Sequence, residues 1–539
     1  MNHQGVVVMY TRARRHHFDV AIIGTGLGST ILALILARQG LDVILIERGS
    51  HPRFAIGESS IPETSLYLRI LALRYNTPEL FNIASFNSIN SSINHNFGIK
   101  VNFGFVFNKK GSQYRTGDGF QLSAITGEYA ETHLFRQDID AWMLQNAIHN
   151  GCCVYQNTLV KGVDISEDEI RVHLEGHPDV TGRYLVDASG HNSLISKMYQ
   201  LHNPEPLETC SRSIFTHMID VRYFDDVLPS AESDQCSPWA KGTLHHLFDD
   251  GWMWVIPFNN HSDASNRLCS VGLMLDGHKH TELIHDPETF FCQWVEQYPD
   301  LKKQFETARA IREWVSTPPI QYSATQSAGK RWCLLSHAYG FVDPLFSRGL
   351  FNTVSVVNQL AVRLMIAFKN NDFSESGFSN LNQWQQQTLI WNDRLVAGAY
   401  WSFGHPELWK WWFRVWALTS TWGGIHLLQA YQLLEKDPGS IEACRLLDNP
   451  SFPGALAPGN KAVNELLASA FKVMKLFRLR KISLKQTEAG LKALFISVGD
   501  LLPPNFDYLD EHARFGYLDK THSAQMEQWI QKYADRSGQ

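Results

Sequence analysis

The stretch Gly24-Thr25-Gly26-Leu27-Gly28-Ser29 constrains this chain more than any other, because of what lies on either side of it. Before it, Val20, Ala21, Ile22 and Ile23 read as a continuously apolar strand. After it, Leu32, Ile35 and Leu36 carry a helical pattern that stops at Gly40, and Val43 to Ile46 give a second strand closed by Glu47. Strand, glycine turn, helix, strand and acid in that order form a nucleotide cradle. Gly24 permits the tight turn. Gly26 lets a pyrophosphate approach the backbone, and the helix N-terminus offers free N–H groups and the positive end of its dipole. Glu47 stands 21 residues after Gly26, where a ribose hydroxyl would be held. Ser29 replaces the third glycine of the usual fingerprint, with Gly28 one place earlier.

A chain of 539 residues has length for two or three domains. With 54 acids against 48 bases and no long basic run, a nucleic-acid partner is not expected. Eight scattered cysteines without a C-x-x-C pair fit reduced thiols, hence a cytoplasmic protein. Residues 1–18, with Arg12, Arg14 and Arg15, read as a flexible leader. No run approaches 18 uncharged apolar residues, so no membrane span is expected.

Further along, Arg53 and the turn Gly57-Glu58-Ser59-Ser60-Ile61-Pro62 precede a helix from about Glu63 to Tyr75. The Asn- and Ser-rich segment from Phe86 to Phe97 reads as a mobile surface loop. Phe97 to Phe107 then reads as one aromatic strand in which Lys100 is the only charge, either a strand-edge residue or a buried amine. His133-Leu134-Phe135-Arg136 leads into a helix, Asp138 to Asn150. A strand ending in Asp187 and the turn Ala188-Ser189-Gly190 return to the nucleotide sheet. Between Arg212 and Gly277 the alternation predicts an antiparallel sheet. Within it Trp252, Trp254 and Ile256 share one face, with Met253 and Val255 behind. His278, His280 and His285 lie in a charged loop without metal-ligand geometry. Ser336 to Arg348, including Asp343, reads as a loop opening a helix near Gly349. Eight of the sixteen tryptophans fall between Asn382 and Trp422, where an aromatic helical core is the simplest reading.

Taken together these stretches resemble the flavin-dependent halogenases, near the phenol and pyrrole branch. The resemblance rests on Gly24 to Ser29 with Glu47, the Pro52-Arg53-Phe54 to Pro62 loop, Lys100, Asp187 to Gly190, Trp252-Met253-Trp254-Val255-Ile256-Pro257, and Asp343-Pro344-Leu345-Phe346-Ser347-Arg348-Gly349. The W-x-W-x-I-P element is the most specific of these. The resemblance implies an α/β fold: a Rossmann-type FAD-binding domain from 19–204 and 328–365, an antiparallel β-sheet substrate region at 205–327, and a helical C-terminal region at 366–539.

The resemblance also implies roles. Gly24, Gly26, Gly28, Ser29, Glu47, Arg53, Gly57, Glu58, Ser59, Arg136, Asp187, Gly190 and Asp343 are expected at the FAD. Ser347, Arg348 and Gly349 are expected at a chloride or bromide ion. Trp252 and Trp254 would keep the substrate from the flavin, and Lys100 would carry or position the oxidised halogen. Lysine chemistry agrees: at a pKa near 10.4 about 0.04% of the amine is neutral at pH 7, and a drop of about three units raises that to roughly 30%. Where tryptophan-type relatives carry a glutamate this chain has Phe346, which favours a phenol or pyrrole over an indole, free or bound to a peptide or carrier protein. A single fingerprint leaves no dedicated NAD(P)H site, so a flavin reductase is the expected partner. The rival readings are a flavin-dependent aromatic hydroxylase, a tryptophan or indole halogenase, and a flavin-binding protein without chemistry.

Overall fold

The computed structural model describes residues 16–123, 130–228, 235–516 and 520–534. Most of the expected leader, with its three arginines, lies outside them. Strand β1 (His17–Ile23) begins inside the segment assigned to that leader. It lies between β2 (Val43–Ile46) and β10 (Val180–Asp187), parallel to both; β7 (Cys153–Tyr155) extends the sheet beyond β2, and Trp332–Leu334 beyond β10. The hairpin of β8 (Val160–Ile165) and β9 (Ile170–Leu174) pairs onto the start of β10. Val20 to Ile23 and Val43 to Ile46 are buried on both faces, as the unbroken apolar runs require of parallel strands. Helix α1 (Leu27–Arg38) packs on this sheet and α4 (Arg136–His149) on α1, while α2 (Pro62–Arg74) shares the same core.

The segment expected to be a mobile loop is instead largely helix α3 (Phe86–Ser92). Ser85 caps it, its hydroxyl accepting from Ser88 N, and Phe86 and Ile89 pin one face into the core. The polar composition hid two apolar anchors at helical spacing. The single aromatic strand also divides. β3 (Gly98–Lys100) pairs antiparallel with β6 (Glu131–His133), whereas β4 (Asn102–Phe107) enters a different sheet, with the break at Val101. Lys100 therefore stands at a junction between two sheets.

The second sheet is built from β11 (Ser211–Ile219), β12 (Gly242–Phe248), β13 (Gly251–Pro257) and β14 (Cys269–Asp276) in the order β11-β14-β13-β12. β4 joins it parallel to β12, followed by β5 (Gly119–Ser123). Two strands inside 19–204 thus belong to the sheet assigned to 205–327, because β4 supplies the edge that β12 needs. Along β13, Trp252, Trp254 and Ile256 enter the main core. Met253 and Val255 pack on the other face with residues of α6 (Pro287–Val295) and α7 (Pro299–Phe305), which follow the short α5 (Leu194–Met198).

Helix α8 (Gly349–Asn370) is long and apolar enough to cross a bilayer, a length the sequence reading did not anticipate. It is instead enclosed by α1, α2 and α9 (Ser379–Ser402). The 31-residue α10 (Pro406–Lys436) packs on α2 and buries Trp409, Trp411, Trp412 and Trp416. Helices α11 (Ile441–Asp448), α12 (Lys461–Arg478), α13 (Leu484–Ser497) and α14 (Lys520–Ala534) complete the C-terminal part.

Candidate functional site

The glycine cradle sits at the C-terminal end of β1. Gly24 has φ +101°, and a Cβ there would stand 2.8 Å from Ala188 O. Nothing lies within 4 Å of the position a Cβ of Gly26 would take, which leaves an open approach to the backbone. A Cβ on Gly28 would meet Thr353 Cγ2 at 2.3 Å, so this glycine serves close packing of α1 against α8. Ser29, in place of the third glycine, donates its hydroxyl to Gly26 O at 2.8 Å and ties the turn to the helix.

Glu47 accepts from Thr25 N at 3.0 Å, Thr25 Oγ1 at 2.9 Å and Gly49 N at 3.0 Å. Burial works against its charge, but these hydrogen bonds and the nearby Arg53 hold the carboxyl below its usual range. Among the described residues Arg53 Nε is a buried donor without a partner. Arg136 is committed elsewhere: it grips Asp140 through two nitrogens and donates to the carbonyls of Ile56 and Gly57, pinning the loop between them.

Three residues expected at the cofactor have partners within the protein. Asp187 accepts from Ser189 N, Ser189 Oγ, Ser193 Oγ and Ile195 N, so its carboxylate closes the turn through Gly190 and has little capacity for a ligand. Glu58 reaches the second sheet and pairs with His217 of β11 at 2.7 Å. Ser59 faces Lys100. The reason is the path of the loop, which crosses from the cradle to β6 and bridges His133.

Lys100 is fully enclosed. Its Nζ donates to Ser59 Oγ and Ser60 O, both at 2.7 Å, and stands 3.6 Å over the ring of Phe103. Burial lowers its pKa well below the ordinary value, against the pull of Glu131 and Glu63. The same burial raises Glu131, which accepts from Ser60 and Ser65 hydroxyls. Ser59 Oγ continues to Thr243 Oγ1 at 2.8 Å, Thr243 to His133 Nε2 at 3.0 Å, and His133 Nδ1 to Pro257 O at 2.8 Å. Phe103 stacks on His245, and His245 leans on Trp252. The lysine and the tryptophan pair thus border one aromatic cluster.

The indoles of Trp252 and Trp254 are 5.8 Å apart. Trp254 Nε1 donates to Ser270 Oγ, and Trp252 Nε1 to Tyr400 OH at 3.1 Å. Tyr400 in turn donates to Asp343 Oδ2 at 2.9 Å, which also accepts from Ser211. Asp343 is therefore coupled to the tryptophan barrier, and burial pushes its carboxyl up to about 6. Ser347 has φ +53° and spends its N–H on Pro344 O, leaving the first turn of α8 from Gly349 as the open donors of this loop. His337 borders Gly349, and burial with the Arg136 charge holds it down to about 4, hence neutral. Phe346 is buried and stacked on Trp416.

Sequence reasoning missed Thr243, His133, Tyr400 and Glu131. Each lies far from its partner in the chain, and none carries a local motif. His280, from the histidine-bearing loop, faces Asp250 at 2.9 Å.

A parallel sheet with a glycine cradle, joined to a second sheet that carries a tryptophan pair and with a buried lysine at the junction, is the framework of a dinucleotide-binding protein. The tryptophan halogenase family model matches residues 121–390. The chain is 41% identical to the tetracycline 7-halogenase of Kitasatospora aureofaciens, over 83% of this chain and 81% of that one. It is 38% identical to the monodechloroaminopyrrolnitrin halogenase PrnC of Pseudomonas fluorescens, over 92% and 87%. The crystal structure of halogenase PltM in complex with phloroglucinol and FAD superposes with a TM-score of 0.89 at 32% identity, over 92% of this chain and 99% of that one. The chain belongs to the flavin-dependent halogenases. It is an FAD-dependent oxidoreductase.

Proposed function

We propose that this enzyme chlorinates or brominates an electron-rich aromatic ring, a phenol or pyrrole, in the biosynthesis of a secondary metabolite. The observation that carries the reading is Lys100: a buried amine with a lowered pKa, set against an aromatic cluster that also contains the W-x-W-x-I-P indoles. The FAD fits the cradle. Gly26 has an open face, Glu47 is an ionised acceptor at the end of β2, and Arg53 Nε lacks a partner among the described residues. Bound and reduced, FAD supplies with oxygen the oxidising equivalent that turns a halide into an electrophile.

The chain's own residues do the rest. The N–H groups opening α8 at Gly349 hold the halide. Trp252 and Trp254, tethered through Ser270 and Tyr400, keep the ring to be halogenated away from the cofactor. Lys100 receives or orients the electrophilic halogen. Phe346, stacked on Trp416, offers no carboxylate to an indole, which favours rings that push their own electrons. The relatives' names point the same way, to a tetracycline, monodechloroaminopyrrolnitrin and phloroglucinol. We place the enzyme in the cytoplasm with a separate flavin reductase.

The test supplies FAD, a reductase, NADH and each halide with a panel of phenols, pyrroles and indoles, free and carrier-bound, read by mass spectrometry. Halide-dependent incorporation supports the reading. Oxygenated product independent of halide replaces it with an aromatic hydroxylase.

A further inference from the structure

Between α2, α8, α9 and α10 lies a cavity of about 30 Å³, room for a single small ion or water. Glu63 of α2, Arg348 and Asn352 at the start of α8, and Trp384 of α9 form part of its wall. The Arg348 side chain is only 7% exposed, yet its guanidinium makes no hydrogen bond among the described residues. It has an ion pair with Glu63 at 3.6 Å and a ring contact with Phe351 at 4.8 Å, and its Nε is a buried donor without a partner. Trp384 Nε1 is a second such donor on the same wall. Asn352 Oδ1 is also unpartnered, and its amide can present either end.

A buried guanidinium with unspent donors is costly unless something accepts from it. Glu63 Oε1 is unpartnered on the same wall, and burial raises the carboxyl, towards the protonated form, even with Arg348 and Lys100 nearby. The other titratable groups on the wall are Tyr67, whose phenol burial pushes up, and His426, which donates Nε2–H to Leu446 O and is shifted down by burial; both shifts favour the uncharged form. The wall therefore presents a cation and an indole N–H to a space the size of one ion, which suits a monovalent anion that accepts and does not donate. Arg348 and Asn352 also wall a second cavity, about 60 Å³, on the side of His337, Asp343 and Gly349. One guanidinium separates this chamber from the loop that opens α8.

We propose that the chamber walled by Arg348, Trp384 and Glu63 is a second, buried halide site, which holds chloride or bromide behind the Gly349 helix start and supplies the loop in front of it. The anion class rests on the geometry. That the anion is the reaction's halide rests on the halogenase reading.

The experiment is anomalous diffraction from crystals of the FAD-bound enzyme in sodium bromide. The expected result is a bromide peak within hydrogen-bond distance of Arg348 and Trp384 Nε1, separate from any peak at Gly349. Trp384→Phe and Arg348→Gln should lose the first peak and keep the second. Glu63→Gln should raise its occupancy by removing residual negative charge. In turnover, Trp384→Phe should raise the KM for bromide about tenfold more than it lowers kcat, the worth of one hydrogen bond to a charged group. A wild-type crystal with bromide at Gly349 and only water in the chamber overturns the proposal, as does a chamber peak that persists in both variants. Should no halide-dependent product form while the peak is present, the anion site stands and the halogenase reading falls.

Discussion

Ser59 Oγ lies 2.7 Å from Lys100 Nζ, and it is the first link of a chain whose direction is fixed at its far end. Pro257 O can only accept, so His133 Nδ1 carries the proton it donates there. Burial, with the Lys100 charge, holds His133 down to about 3, so the ring is neutral and Nε2 accepts from Thr243. Thr243 then accepts from the Ser59 hydroxyl, and Ser59 accepts from Lys100. With Ser60 O taking a second N–H, the remaining position on Nζ faces Phe103 and the aromatic cluster. The last residue of the W-x-W-x-I-P element thereby helps set the orientation of the lysine.

Thr243→Val breaks that chain while keeping the shape of a side chain that is 1% exposed. The Ser59 hydroxyl loses its acceptor, and its hold on Lys100 Nζ loosens. Halogenated product should fall about tenfold, the loss of one buried hydrogen bond, with FAD affinity and flavin reoxidation unchanged. Thr243→Ser should retain activity. Mass-spectrometric product yield beside stopped-flow flavin oxidation makes the comparison.

Gly28 and Thr353 allow a packing test of the cradle. Gly28→Ala forces a methyl into Thr353 Cγ2 and should cost about 1–3 kcal/mol in urea unfolding, with weakened FAD binding. Thr353→Ser removes that methyl and keeps the hydroxyl that donates to Gly349 O. The double variant should recover most of both losses. No recovery would mean that Gly28 matters for something other than its contact with α8.

The cradle was legible because its chemistry is local: Gly24, Gly26 and Glu47 lie within one strand-helix-strand unit, and their backbone requirements leave a mark on the sequence. The alternation that put Trp252, Trp254 and Ile256 on one face of β13 was legible for the same reason. What surrounds Lys100 was not. Ser59, Thr243 and His133 come from three separate segments that meet only because β3 and β4 belong to different sheets, and the sequence across Val101 reads as unbroken aromatic strand. Glu58 and Asp187 show the converse. Motif position gives them a ligand contact, and the long-range pair with His217 and the turn through Gly190, which only the fold shows, engage their carboxylates as well.

Asp343 gives a pH signature. Burial raises its pKa from 3.8 to about 6, so the folded protein keeps a proton that the unfolded chain releases between those values. Stability from this group is thus present at low pH and declines as pH rises through the window of about 4 to 6. Asp343→Asn should be more stable than the wild type above pH 6, with the advantage vanishing below about pH 4. Urea unfolding at the two ends of the range measures it. An advantage independent of pH would assign the gain to packing.

The role of Lys100 separates most sharply from a structural one in three variants. Lys100→Ala should abolish halogenated product while leaving FAD affinity and flavin oxidation near wild type, because the amine contacts Ser59, Ser60 and Phe103 and none of the cradle. Lys100→Arg should fail as well, since guanidinium stays charged and offers no neutral nitrogen with a lone pair. Lys100→Met keeps length and apolar stem, and it removes a cationic group whose burial is costly. It should therefore fold at least as stably as the wild type and still yield no product. Measuring product, peroxide release and thermal unfolding together distinguishes the readings. Substantial turnover in the methionine protein would return Lys100 to a strand residue whose charge is merely satisfied by Ser59 and Ser60.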